Sequence, residues 1–211
     1  DDEYGNKLST NSREAVDLYN KGTHQFLGAE PGVENSFGSA IDVDPEFALA
    51  HIGYAREMQL RGRSTDMRQA LNRAIKYAGN LSERERSHLN VSSLLLSGKS
   101  AEARLAVYEH VRHWPRDVLV AQMCTSVFGL IGFSGLPGRE AEQLAFISNL
   151  TDHYGENWWF KAQLAFAQLE VGQLHEAATN IEEAILLNPD SAHSKHIKAH
   201  LYYENLEDED G

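Results

Sequence analysis

Four residues near the end of the chain, His193, His196, His200 and Glu204, have the types and the spacing to do chemistry. At about 100° per residue on a helix, His196, His200 and Glu204 fall at about −60°, −20° and +20° from His193, so all four share one face. Imidazoles at i and i+4 can reach one metal ion, which makes His196 with His200 a feasible chelating pair. Glu204 can pair with His200, whereas His193 lies about 10 Å along the axis from His200, too far to join it. One helix cannot close a tetrahedral shell. A divalent transition metal on His196, His200 and Glu204 would therefore need a further ligand from another helix, a partner or a second subunit. Imidazole with carboxylate would suit zinc, iron or nickel. The same residues could instead line a polar groove, hydrogen-bonded to one another and to water. They could perform general acid–base chemistry without metal, or recognise a carboxylate through protonated histidine.

The element that carries them is set by the stretch before it. With Pro189 as the closing proline of a repeat of about 34 residues, Leu164 and Ala165 form a large–small pair on a first helix. Ala177, Ile181 and Ala184 take the packing positions of a second. Small residues let two antiparallel helices approach, and large ones fill the space between them. Carried past Pro189, the same count starts a new first helix at Ala192. This pattern resembles the tetratricopeptide repeat, in which first helices line the concave surface and present the second, fifth, ninth, twelfth and thirteenth residues. The resemblance places His193, His196, His200, Tyr203 and Glu204 at those positions, and Arg56, His88, Trp159, Phe166 and Glu170 at their equivalents in earlier repeats. One of the adjacent Trp158 and Trp159 is expected to anchor the core.

Working along the chain, residues 1–11 read as a polar extended segment. Asn11 with Glu14 resembles a capping box, so the first unit spans about 12–45, with helices broken at Pro31-Gly32 and ended before Pro45. The second spans about 46–80, with Ile52, Ala55, Leu71 and Ala74 packing and Gly62 as the break. Ser82 with Glu85 caps the third, about 82–115. The fourth, about 116–154, is interrupted by GLIGFSGLPGRE, and a lengthened loop is predicted from about Gly132 to Gly138. Units at 157–189 and a half unit at 191–205 follow, then an acidic tail at 206–211. The predicted fold is all-α, a right-handed superhelical solenoid of about five helix–turn–helix repeats plus one C-terminal helix.

Composition narrows the partners. The 211 residues are 42% hydrophobic and 24% charged, enough apolar surface for a core. A net charge of −12 repels phosphate backbones and anionic headgroups, which argues against nucleic acid and membrane surfaces. No charged leader precedes an apolar run, and a lone Cys124 fits a reducing compartment, so a cytoplasmic setting is expected. Gly132-Phe133-Ser134-Gly135 lacks the final glycine and preceding strand of a hydrolase nucleophile elbow. Neither a phosphate-cradling lysine loop nor an HExxH zinc motif occurs.

Several stretches are also similar to the tetratricopeptide-repeat-protein-38-like family: EYGNKLSTNSREAV, ERERSH at Glu83–His88, GFSGLPGREAEQL at Gly132–Leu144, HYGENWWF at His153–Phe160, and NPDSAHSKHIKAH. The resemblance implies an all-helical solenoid, a longer chain with further repeats after the histidine helix, and a His-x-x-x-His pair matched by His196 and His200. It defines no chemistry.

Together these observations predict a scaffold that binds a peptide, partner protein or small polar ligand in a concave groove. The alternative is a metal-dependent enzyme or small-molecule-binding protein whose His-rich site is completed by a C-terminal half or a second subunit. The C-terminal helix lacks a covering partner in the repeat pattern, so self-association through it is a further expectation.

Overall fold

The computed structural model describes residues 1–126 and 128–209, the side chains of 205–209 excepted. Among the described residues it is all-helical, with helices paired in sequence order as the spacing predicts. First helices α1 (Arg13–Gly28), α3 (Ala48–Leu60) and α5 (Glu83–Leu96) alternate with second helices α2 (Val33–Val43), α4 (Ser64–Lys76) and α6 (Ser100–His113). Then come α7 (Val118–Ala121), α8 (Arg139–Ser148), α9 (Thr151–Tyr154), α10 (Trp158–Glu170), α11 (Leu174–Leu187) and α12 (Ala192–Glu209). Helix starts at 13, 48, 83, 118, 158 and 192 make the repeat visible in the backbone. The chain divides into two compact units, Asp1–Phe26 with Pro31–Ala121, and Leu27–Glu30 with Gln122–Gly211.

In the first unit, Ser82 accepts from the Glu85 amide while the Glu85 side chain returns to the Ser82 amide, the reciprocal cap expected there. At the chain start the cap is one residue later than expected. Ser12, not Asn11, accepts the Ala15 amide at 3.2 Å. Residues 1–11 are tied to the rest of their unit. Asp2 turns the segment by accepting the amides of Tyr4 and Asn6. The Arg116 guanidinium then donates to the Tyr4 carbonyl at 2.7 Å, and Arg84 to that of Lys7 at 2.8 Å. Close packing centres on Phe37, which is fully buried with its ring against Gly22 and Gly53; a Cβ on Gly53 would stand 2.5 Å from it.

In the second unit, Asn157 caps α10 through the Phe160 amide. Ala165, Ala177, Ile181 and Ala184 form the core as the repeat count requires, and Ile197 and Leu201 of α12 join it. The fourth repeat departs from expectation. Its first helix is the single turn α7, followed by irregular backbone well before Gly132. Leu130 folds back to donate to the Met123 carbonyl, and a Cβ on Gly129 would lie 2.8 Å from that oxygen, so glycine is what admits the turn. Gln143 of α8 ties the segment down by donating to the Thr125 carbonyl at 2.7 Å. Helix α12 runs past Asn205 to Glu209; the acidic tail expected at 206–211 lies outside the described side chains.

Candidate functional site

Helix α12 has two unlike faces. Ile197 and Leu201 are buried against α10 and α11, which fixes the rotation of the helix. That rotation leaves His196, His200, Tyr203 and Glu204 exposed, with His193 half-buried at the N-terminal end. The Nε2 atoms of His196 and His200 stand 3.0 Å apart with the rings perpendicular. Only one of the two nitrogens can donate in such a contact, so two neutral rings make it only as opposite tautomers. Burial, with the His196 charge acting in the same direction, lowers the His193 imidazole to about 4. His193 is therefore neutral near pH 7 and brings no positive charge to this face.

Glu170, at the end of α10, is the only member of the earlier-repeat set that shares this exposed region. Desolvation raises its carboxyl pKa, and the charges of Glu140 and Glu204 push the same way, while His200 and Arg139 oppose them. Glu140, Glu170, His200 and Glu204 thus share one electrostatic neighbourhood drawn from α8, α10 and α12. Among the described residues, no three His, Cys, Asp or Glu side chains stand close enough to hold a metal as they are.

The other expected groove residues lie elsewhere, for physical reasons. Trp159 is 0% exposed, tilted against Tyr154 at 5.2 Å, and is the tryptophan that anchors the core. Phe166 is buried among Ile181, Ile197 and their neighbours. Arg56 is buried in the first unit, with its guanidinium 5.8 Å from the Phe26 ring centre and bonded to Gln59; burial lowers its pKa to about 10. His88 is 1% exposed and faces inward. First-helix positions that line a groove in an open repeat are here filled by the core.

His88 belongs to a cluster that sequence reading missed. The buried Asp117 carboxylate pairs with Arg84, lies 3.1 Å from His88 Nδ1 and is 3.2 Å from His110 Nε2. Burial would raise the Asp117 carboxyl, but its neighbours, His88 first, hold it well below the usual carboxylate range. His110 Nδ1 meets the Ser87 hydroxyl at 2.8 Å. The available signal was Arg84 and His88 four apart on one helix, with an acid just after Trp114-Pro115. The cluster is buried, and through the bond from Arg84 to the Lys7 carbonyl it clamps the N-terminal segment. Elsewhere in this unit a cleft of about 240 Å³ is lined by polar residues including Asp42, His51, Tyr54 and Arg73, and no residue expected to bind ligand lines it.

No known family model matches the chain. The solved structure of YrrB, described as a TPR protein with an unusual peptide-binding site, is similar with a TM-score of 0.46 and 13% identity. The match covers 90% of this chain and 94% of that one. A likeness at that level adds nothing to what the helix pairs themselves establish. Among the described residues, no helix is long and apolar enough to cross a membrane.

Proposed function

We propose that this chain is a helical-repeat scaffold that captures a polar, basic peptide segment of a partner protein on the exposed face of α10 and α12. One observation carries the reading. Burial of Ile197 and Leu201 locks α12 so that two imidazoles, Tyr203 and Glu204 face outward beside Glu170. A rigid helix presenting acceptors and an aromatic ring suits a peptide that brings ammonium or amide donors, and the negative charge of the chain favours a basic one. The stretches similar to the tetratricopeptide-repeat-protein-38-like family support the same architecture, and membership of that family is part of the proposal. So is a cytoplasmic setting, which the chain's single cysteine, the buried Cys124, supports.

The test is fluorescence anisotropy with labelled tyrosine-containing peptides, one lysine-rich and one glutamate-rich, at low salt. The lysine-rich probe should bind, and a Glu170→Gln/Glu204→Gln variant should lose that binding while its melting temperature stays put. Equal binding of both probes, or an unaffected variant, would overturn the proposal.

A further inference from the structure

We propose that His196, His200 and Glu170 form a binding site for one divalent transition metal ion of the zinc class. Zinc holds histidine nitrogens at about 2.0–2.1 Å in tetrahedral geometry, which separates two such ligands by about 3.3 Å. The Nε2 atoms of His196 and His200 are already 3.0 Å apart. An ion needs only a few tenths of an ångström of opening. It would also end the demand for opposite tautomers, since a metal takes the lone pair of each nitrogen. The pair sits on a helix fixed by Ile197 and Leu201, so the two donors are held rather than tethered.

Two imidazoles make an incomplete shell, and the third ligand must come from another helix. Glu170 of α10, which packs on α12, is placed to supply it. Its carboxyl lies in the field of His200, and it is crowded by Glu140 and Glu204. The nearby guanidinium of Arg139 pairs with Glu140 at 2.8 Å and offsets the repulsion at Glu170 only in part. A cation between Glu170 and the imidazoles would relieve the repulsion among three carboxylates. Glu170 is exposed and has three rotatable side-chain bonds, so its carboxylate can reorient towards the pair. As they stand, the three side chains do not converge on one point. Water would fill the fourth position, as in open zinc sites.

The inference does not rest on peptide capture, because the probe is the metal alone. Protein without an affinity tag, stripped with chelator, is titrated calorimetrically with Zn2+ near neutral pH. Binding of one ion per chain is expected, weakened about tenfold or more in Glu170→Gln and far more in His196→Ala/His200→Ala. Glu204→Gln, which removes a neighbouring charge and not a ligand, should weaken binding less than Glu170→Gln does. Visible absorption of bound Co2+ should report tetrahedral geometry in the parent and change in Glu170→Gln. Zinc bound no more tightly by the parent than by the double histidine variant would overturn the site. Full affinity in Glu170→Gln, or the loss appearing in Glu204→Gln instead, would overturn the assignment of the third ligand.

Discussion

Asp117 shows how much one side chain can hold. It receives Arg84 from α5, and the histidines of α5 and α6 flank it, all nearly free of solvent. Replacing it by Asn keeps the shape but leaves a buried guanidinium without its counter-charge. Loss of one partner from a buried ion pair costs about 3–5 kcal/mol. Asp117→Asn should therefore lower the urea midpoint strongly, and an unchanged midpoint would show that the pair contributes little. The buried histidines set the acid response. Burial lowers the pKa of His51, of His110 and, to about 4, of His193. In the unfolded chain imidazole titrates near about 6.5, so on acidification the unfolded state takes up protons first. Their contribution is complete above about pH 6.5 and is lost as pH falls towards the folded values. Asp117, whose folded pKa is depressed, adds a later loss below its unfolded pKa of about 3.9. Melting temperatures should be flat from about pH 8 to 7 and fall steadily from about 6.5 to 4.5, with a shallower slope in His193→Gln. Little of the Asp117 cluster was legible beforehand. Its members come from two helices and a turn, and pairing across elements leaves no periodic trace in sequence.

At the level of elements, periodicity was the reliable signal. The helix boundaries at Val33–Val43, the Ser82 cap and the core positions of α10 and α11 follow from caps, glycines and the repeat count. Misplaced were the features that depend on neighbours. The apolar run after Val118 reads as a helix, yet backbone contacts around Met123 and Gly129 fold it into a loop. In the same way, Trp159 and Phe166 have groove-facing register but bury because their size is needed in the core. A tight approach between helices lies where Phe37 of α2 meets Gly53 of α3. Gly53→Ala should cost about 1–3 kcal/mol by overpacking. A second change, Phe37→Leu, should return part of that loss, and a denaturation cycle over the four proteins measures the coupling. Strictly additive effects would show that the contact relaxes without strain. On α12, Ile197→Ala should cost about 2–5 kcal/mol, because its side chain fills the junction with α10 and α11. Hydrogen exchange should then show lost protection across α12 before the other helices of its unit.

For the molecule as a whole, the dominant property is excess negative charge, −12 over 211 residues. Like charges repel more in the compact state than in the expanded one, so this excess works against folding and is screened by salt. The exposed ion pairs, such as Arg63 with Glu34 and Asp66, contribute little and are screened as well. The buried Arg84–Asp117 pair lies away from mobile ions and keeps its strength. The balance favours the folded state as salt rises. Melting temperature should increase by a few degrees between about 0.02 M and 0.5 M sodium chloride, across which the Debye length shrinks several-fold. A fall would mean that exposed ion pairs outweigh net repulsion. The same experiment on Asp117→Asn should show a parallel rise from a lower start, since the lost pair is the one salt does not reach.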